Sequence, residues 1–242
     1  MSPSRVGLAR LELTPVATVQ SPFKSRFGIP RQSGLVPEAP GVIVPITPWD
    51  RAEAWFGIEQ YSHLWLIWHV HDRPHQPVSS VRPPRLGGNS KMGLFATRSP
   101  ARPNPLGLSL VRLMRVENTA GHVRIHISGL DLLDGTPIFD IKPHIGFTDC
   151  PKGSDSGFAR EEPFRLAVDW SEVSPEHITH LNEHQRRVIE QTLALDPRPA
   201  FHDDPMRHYG CPIFEFNVRF RVQGKTIFII NLSNMRSEPA NG

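Results

Sequence analysis

The sequence has few cysteines and no long hydrophobic run, and these shortages exclude several classes of protein. Its 242 residues contain only two cysteines, Cys150 and Cys211, neither of which belongs to a CxxC motif. This argues against a disulfide framework, a zinc knuckle and an iron–sulfur cluster. No segment approaches the ~18 uninterrupted apolar residues of a membrane helix, and the first residues lack the apolar region and cleavage site of a signal peptide. We therefore expect free thiols, no membrane association and a cytoplasmic protein.

Sequence motifs for nucleotide phosphates and for metals are also missing. Neither GxGxxG nor GxxxxGK[ST] occurs, which argues against a Rossmann or P-loop site. The chain has 12 histidines, and His69 and His71 are spaced to share one face of a strand. Because no third ligand lies near them in sequence, ordinary core or hydrogen-bonded histidines explain this spacing better than a metal. We predict no metal site.

Proline and local positive charge are abundant instead. The 25 prolines are about twice the usual share, while the 43 residues of Pro plus Gly (25 and 18) stay below the level that indicates disorder. Many ordered, stiff loops are therefore expected. The formal net charge is only +3, but the stretch from Arg73 to Arg115 holds eight Lys or Arg and no acid. Its arginines are mixed with Pro, Gly, Asn, Ser and Thr, which favours contact with phosphates over a plain solvated face.

Short apolar runs in the first part of the chain predict β-strands. They are rich in β-branched and aromatic residues and are separated by Pro and Gly, as in a sheet or small barrel. The runs cover residues 15–19, 41–46, 63–70, 93–96, 108–116, 122–127 and 138–141. One short helix is predicted over residues 47–60, with Thr47 as N-cap and Pro48 at the first helical position. Residues 1–150 are therefore interpreted as one mainly β domain.

A linker over residues 151–163, rich in Gly, Ser, Pro and charge, leads to a smaller α+β domain over residues 164–242. This domain carries one predicted helix, with Ser174 as cap and Pro175 at its start, which ends before the DPRP sequence at 196–199. The apolar stripe of this helix consists of Ile178, Leu181, Val188 and Ile189. A β-hairpin follows, with a turn at Gln223–Gly224. Its buried face is predicted to carry Phe214, Phe216, Val218, Phe220 and Val222.

Three loop segments combine stiffness with polar side chains and are the candidate binding segments. In residues 95–109, prolines fix the chain direction while Arg98, Arg102 and Asn104 present polar groups, a composition suited to a polar ligand. In an alternative interpretation, these arginines pair with acids elsewhere and Asn104 caps a turn. Residues 27–34 again place Arg and Gln beside Pro and Gly.

The third segment, residues 129–145, contains Asp131, Asp134 and Asp140, which could accept hydrogen bonds from a ribose, an ammonium group or a transferred proton. The alternative is that Asp134-Gly135 only forms a turn. Four tryptophans in residues 49–68 are interpreted as core residues in preference to a base-stacking platform.

Five segments together resemble the TrmO (TsaA-like) family of tRNA methyltransferases. They cover residues 23–32, 57–71, 81–109, 131–145 and 196–201, and the most specific is VRPPRLGGNSKMGLFATRSPARPNPLGLS. The resemblance implies a single-sheet antiparallel β-barrel, a smaller C-terminal domain that binds tRNA, and a homodimer. It also implies S-adenosylmethionine as methyl donor. The implied reaction is N6-methylation of threonylcarbamoyl-adenosine, 3′ of the anticodon, in threonine tRNA.

The family pattern also implies which residues form the site. Cofactor contacts would involve Pro30, Arg31, Gln32, His71, Arg98, Leu108, Asp131, Leu132, Leu133, Asp134 and Thr136. RNA contacts are expected on physical grounds, because basic side chains bind phosphates, at Arg85, Lys91, Arg102, Arg219 and Arg221. The chain departs from the pattern at His144, where an aromatic residue is common, and in DPRPAF, which replaces DPRPAY.

The chemistry of this reaction is compatible with the residues present. Methyl transfer from a sulfonium is an in-line displacement that needs no metal, so positioning by stiff loops supplies most of the catalysis. Asp131 or Asp134 is expected to accept the proton of the target nitrogen, or else to bind the amino group of the cofactor. Two rival interpretations are a non-enzymatic RNA-binding module and, less favoured, a hydrolase using His71 with an aspartate, which would lack a GxSxG motif.

Overall fold

The computed structural model describes residues 11–72, 76–199, 202 and 204–235, so Arg73, Ala200 and Phe201 lie outside the described residues. The N-terminal part forms a closed barrel with strand order β1-β2-β7-β6-β3-β8, in which all neighbours are antiparallel. The barrel strands are β1 (Ala17–Gln20), β2 (Pro40–Pro45), β3 (His63–His69), β6 (Leu106–Thr119), β7 (His122–Ser128) and β8 (Pro137–Pro143). A separate two-stranded pair consists of β4 (Ser80–Val81) and β5 (Met92–Gly93). The mainly β fold and the antiparallel barrel are confirmed.

Alternation along the strands fills the barrel interior with apolar side chains. Leu64 and Leu66 of β3, Val111 of β6 and Ile125 of β7 are fully buried in one cluster. Side chains two apart on a strand share a face, so Ser109, two residues before Val111, also points inward and is 1% exposed. A buried serine at one end of an apolar barrel requires a hydrogen-bond partner.

Two predictions of local structure in this part are wrong. Residues 47–60 form no α-helix but two 3₁₀ turns, Ala52–Trp55 and Ile58–Gln60, separated by Gly57 at φ +85°. The Thr47 hydroxyl bonds Asp50 Oδ2 at 3.1 Å and does not cap a helix. In the predicted strand 93–96, Leu94–Ala96 is a 3₁₀ turn, because the hydroxyl and the N–H of Thr97 both donate to the Leu94 carbonyl.

The C-terminal part is a four-stranded sheet with helices against it. Its order is β10-β11-β12-β9, with β9 parallel to β12 and the other pairs antiparallel. The strands are β9 (Ala167–Asp169), β10 (Tyr209–Ile213), β11 (Phe216–Gln223) and β12 (Thr226–Asn234). The helices against this sheet are α2 (Pro175–Ile178) and α3 (Glu183–Ala194). A short helix α1 (Gly146–Asp149) follows β8 of the barrel, and further 3₁₀ turns are Pro84–Leu86 in the N-terminal part and Gly157–Ala159 before β9. Within the described residues, no helix is long and apolar enough to span a membrane.

The predicted hairpin is β11 with β12, and its buried face alternates as expected. Its loop is Gly224 with Lys225, one residue later than predicted, since Gln223 pairs with Thr226. Phe214 lies before the strand at φ +57° and is only half-buried.

The single helix predicted after Ser174 is two helices. The side chain of Asn182 accepts from the Gln185 N–H at 2.9 Å, and the Gln185 side chain accepts from the Asn182 N–H at 3.1 Å. This capping box starts α3 anew. The stripe residues Val188 and Ile189 are buried against the sheet.

One segment of the N-terminal part packs into the C-terminal core. Phe23, Val36 and Ala39 belong to the buried cluster formed with β10, β11 and α3, not to the barrel cluster. Phe23 also forms an isolated antiparallel bridge with Ile213. The loop between β1 and β2, residues 21–39, therefore joins the barrel to the second sheet.

Candidate active site

The three polar loop segments meet at the barrel end marked by Ser109. The Ser109 hydroxyl donates to Asp131 Oδ1 at 2.6 Å. Ser33 Oγ accepts from the Leu110 N–H at 3.0 Å, which brings the 27–34 segment onto β6. Arg98 Nη1 donates to Gln32 Oε1 at 2.6 Å and joins the 95–109 segment to the 27–34 segment. Side chains far apart in sequence therefore form one polar cluster.

Asp131 is a carboxyl of this cluster whose pKa is shifted strongly from its ordinary value. Trp68 Nε1 donates to Ser109 Oγ at 3.0 Å, and because that oxygen accepts from the indole, its own proton is directed to Asp131. Burial raises the pKa of Asp131 to about 6, although hydrogen bonds from Ser109 and from the Ser33 backbone, and the charge of Arg98, each favour the carboxylate. At neutral pH the group is mostly ionised yet can accept a proton.

Asp134 has a different environment. Its Oδ1 accepts from the Ser21 N–H at 2.8 Å and its Oδ2 pairs with Lys24 Nζ at 2.8 Å. Its own N–H donates to the Phe23 carbonyl, and the Thr136 hydroxyl donates to the Leu133 carbonyl at 2.6 Å. These bonds close a turn and attach it to the β1–β2 loop. The geometry favours the turn interpretation for Asp134 and Thr136.

The other residues of the predicted cofactor set are spread around this cluster. Pro30 is buried, Arg31 is exposed and Gln32 is half-buried, with its amide bonded to the Arg31 carbonyl. The Leu132 side chain lies in the barrel core and only its carbonyl is engaged, by the Ser21 hydroxyl. Leu133 is half-buried.

Two cofactor candidates and one aspartate lie away from the cluster. Leu108 is 51% exposed and points to the opposite side of β6 from Ser109. His71 is exposed just beyond β3. Asp140 pairs with Lys142 at 2.9 Å on the surface. Among the described residues, none of these three side chains forms a hydrogen bond or ion pair with Asp131.

Family models match nearly all of the described chain. A tRNA-methyltransferase O N-terminal domain model matches residues 18–150, and a TrmO C-terminal domain model matches residues 163–235. The chain belongs to the TrmO family.

Individual TrmO relatives are similar over most of their length. A putative S-adenosylmethionine-dependent methyltransferase RcsF of Pseudomonas aeruginosa is 42% identical over 214 residues, 86% of this chain and 91% of the relative. A tRNA (adenine(37)-N6)-methyltransferase of Escherichia coli K12 is 37% identical over 227 residues, 89% and 94% of the two chains. A crystal structure of TrmO from P. aeruginosa superposes with a TM-score of 0.77 at 35% identity, covering 95% of this chain and 99% of the other.

The basic residues predicted to meet RNA divide into two groups in this TrmO chain. Arg85, Lys91 and Arg219 are exposed. Arg102 donates to the Thr97 carbonyl at 2.7 Å and covers the Phe95 ring at 5.3 Å. It therefore stabilises its own loop.

Arg221, the fifth of these residues, is also engaged within the protein. Its guanidinium pairs with Glu172 at 2.5 Å and lies 4.4 Å above the centre of the Phe228 ring. Both contacts hold it against the C-terminal sheet.

The sequence reasoning missed Ser33, Ser109 and Trp68 as members of the site. Ser109 had a readable signal, because it is the single hydroxyl at an inward position of an apolar strand in LGLSLV. Trp68 was interpreted as core, and its ring does pack against the barrel cluster while its N–H reaches Ser109. Ser33 had no signal beyond its place in a polar loop.

Proposed function

We propose that this protein is an S-adenosylmethionine-dependent tRNA methyltransferase that acts on N6 of adenine. The observation that carries the proposal is the cluster at the barrel end, where the half-buried carboxylate of Asp131 lies beside polar side chains of two stiff loops. Membership of the TrmO family supports it, as do the printed names of the relatives from P. aeruginosa and E. coli.

The residues present fit the methyl donor. S-adenosylmethionine carries a sulfonium and an ammonium cation, a carboxylate and an adenosine. The carboxylate of Asp131 complements cationic groups, and Arg98 with Gln32 offers donors for an anionic or polar group. We assign Pro30, Gln32 and Arg98 to the donor, which supplies an electrophilic methyl group when bound.

Asp131 is the proposed proton acceptor. We propose threonylcarbamoyl-adenosine as the substrate, and its N6 belongs to a urea-like group whose lone pair is conjugated with the purine. Loss of its proton therefore assists formation of the nitrogen–carbon bond. Asp131 would take this proton directly or through water as N6 gains the methyl group and the donor's sulfur–methyl bond breaks, which leaves the donor as a neutral thioether. The Ser109 hydroxyl keeps the carboxylate oriented. Asp134 is already held by Lys24 and Ser21, which supports Asp131 over Asp134.

The RNA part of the proposal rests on exposed cations. We propose that Arg85, Lys91 and Arg219 contact phosphates of the anticodon stem-loop, and that the modified adenine 3′ of the anticodon enters the site unstacked. Exposed Arg31 is suited to grip the threonyl carboxylate bidentately. Threonine tRNA as substrate, a homodimer and a cytoplasmic location complete the proposal. We also propose that the chain divides into a barrel domain over residues 1–150, a linker over residues 151–163 and a C-terminal domain over residues 164–242.

Mass spectrometry of nucleosides tests the activity directly. Purified protein is incubated with S-adenosylmethionine and threonine tRNA that either carries or lacks threonylcarbamoyl-adenosine. We expect a methylated threonylcarbamoyl-adenosine only from the first tRNA. Methylation of the unmodified adenine would refute the substrate but keep the activity. Absence of any methylated product, together with no binding of S-adenosylmethionine in calorimetry, would refute the enzyme and leave the RNA-binding module.

A further inference from the structure

Helix α3 of the C-terminal part contacts the loop that carries the proposed cofactor residues. Arg187 Nε donates to Glu38 Oε2 at 2.8 Å, and Gln191 Nε2 donates to Glu38 Oε1 at 3.2 Å. The ring Nε2 of His184 lies 2.9 Å from the Glu38 carbonyl oxygen. Positions 184, 187 and 191 recur on one face of a helix. Glu38 is therefore held by three side chains of a single helical face.

The chain on either side of Glu38, residues 34–39, is hydrogen-bonded to the residues that precede Asp131. The Ala39 carbonyl accepts from the Leu130 N–H at 3.2 Å, and the Gly34 N–H donates to the Gly129 carbonyl at 2.8 Å. Residues 34–39 therefore run beside residues 129–130, which immediately precede Asp131. One backbone hydrogen bond separates the residue after Glu38 from the residue before Asp131.

The other end of the same loop is also anchored in the C-terminal core. Phe27 stacks on Tyr209 with ring centres 6.1 Å apart and on Phe220 at 6.3 Å. Gly28 has φ +95°, and a Cβ there would overlap Cys211 Sγ, so the backbone touches β10. Both flanks of residues 30–33 are thus fixed by the second sheet and its helix, and only the tip faces the barrel end.

We propose that Glu38 is a positioning residue through which α3 sets the geometry of the methyl-transfer site. A loop that is ordered before ligand binding does not lose that conformational entropy on binding, so anchoring Glu38 strengthens cofactor affinity without contacting the cofactor. The C-terminal part then belongs to the cofactor site as well as to RNA recognition. This inference rests on the proposed function.

A matched pair of variants of the full-length chain tests the inference. Glu38→Ala removes the acceptor that α3 holds. Glu183→Ala removes the other carboxylate bonded to Arg187, at 2.7 Å, which is 86% exposed and does not touch the loop. The measurements are the Kd for S-adenosylmethionine by calorimetry, kcat and KM for tRNA, and Tm.

We expect Glu38→Ala to weaken cofactor binding about tenfold, the scale of one lost charge-assisted hydrogen bond. The KM for tRNA should change less than about twofold, and Glu183→Ala should match the wild type. Glu38→Gln should recover part of the loss, because its amide oxygen can still accept from Arg187 Nε.

Three outcomes would refute either the positioning role of Glu38 or the proposed function. If the wild type binds the cofactor and methylates tRNA but Glu38→Ala does so equally well, the positioning role is wrong and the proposed function stands. A Glu38→Ala variant that loses Tm, cofactor binding and tRNA binding together would also refute specific positioning. If the wild type itself neither binds S-adenosylmethionine nor methylates tRNA, the proposed function fails and the positioning role falls with it.

Discussion

The pH dependence of methyl transfer should report the ionisation of Asp131. Burial raises the pKa of this carboxyl from 3.8 to about 6. A proton acceptor works only when ionised, so kcat should fall as the pH drops through this value. About ten in eleven molecules carry the carboxylate one pH unit above the pKa and about one in eleven one unit below. Between pH 7 and pH 5, kcat should therefore fall about tenfold.

Replacing Asp131 by Asn keeps the shape of the side chain and removes its basicity. The expected loss in kcat is about 10²–10⁴-fold, the usual contribution of a general base. The acidic limb of the profile should disappear with it. The assay is a single-turnover methylation rate over pH 5–9 with labelled methyl donor.

Ser109→Ala supplies the control for the assignment of that limb. The Ser109 hydroxyl donates to the carboxylate, so its removal disfavours the charged form and should raise the pKa of Asp131 further. The limb should move to higher pH, while Asp140→Asn, on the barrel exterior, should leave it in place. An Asp131→Asn variant with unchanged kcat but weaker cofactor binding would refute proton acceptance and assign Asp131 to the cofactor amino group.

The same Asp131→Asn substitution should change stability with a definite sign. Because the pKa of Asp131 is higher in the folded protein than in the unfolded chain, the folded state binds more protons between about pH 4 and 6, and stability falls as pH rises through that window. The asparagine of the Asp131→Asn variant cannot ionise, so this variant avoids the free-energy cost of ionising a carboxyl in the folded protein. It should be more stable than the wild type at pH 8 and equally stable at pH 4. Allowing for partial exposure, the gain is about 1–2 kcal/mol, or about 2–8 °C in Tm. Equal Tm differences at both pH values would contradict the buried ionisation.

Three further substitutions address the rest of the site. Asp134→Asn should lower stability by about 0.2–1 kcal/mol in urea unfolding, because it loses the exposed pair with Lys24, and should leave the acidic limb unmoved. Arg85→Ala should weaken tRNA binding and leave the affinity for the cofactor unchanged. The slope of the logarithm of the tRNA binding constant against the logarithm of salt concentration should decrease in magnitude by about 0.7–0.9. An unaltered slope would exclude a phosphate contact. Gly107→Ala places a Cβ against the Trp68 ring, closer than van der Waals contact allows. It should destabilise the barrel by about 1–3 kcal/mol in the same assay, and it should lower kcat because it displaces the hydrogen bond from Trp68 to Ser109. A wild-type kcat would show that this hydrogen bond is dispensable.

The strands of this fold were more predictable than its helices. Short apolar runs rich in β-branched and aromatic residues are a local signal, and they located β1, β2, β3, β6, β7 and β8 to within a few residues. The order of pairing was not readable from periodicity, because it depends on contacts between distant segments; the family resemblance supplied the barrel. The helix error after Ser174 was avoidable, since Asn182 with Gln185 is a readable capping box.

Composition identified the loops of the site but could not rank the two aspartates of DLLDG. Asp131 and Asp134 are three residues apart and chemically identical in sequence. Their difference comes from residues distant in sequence. Asp131 is affected by burial and by the Ser109 hydroxyl, whereas Asp134 forms an ion pair with Lys24 and accepts a hydrogen bond from the Ser21 N–H. Arg102 illustrates the same point, because the carbonyl and ring that hold it are visible only once its loop is folded.

The β1–β2 loop also changes how the two parts of the chain should be regarded. One family model ends at residue 150 and the other begins at residue 163, yet Phe23, Val36 and Ala39 are each at most 1% exposed within the C-terminal core. A fragment ending at residue 150 would expose these side chains and release Glu38 from α3. Burial of apolar area drives folding, so the fragment would lose stability at the same loop that carries Arg31 and Gln32. The proposed cofactor binding and the docking of the C-terminal part therefore both depend on the β1–β2 loop.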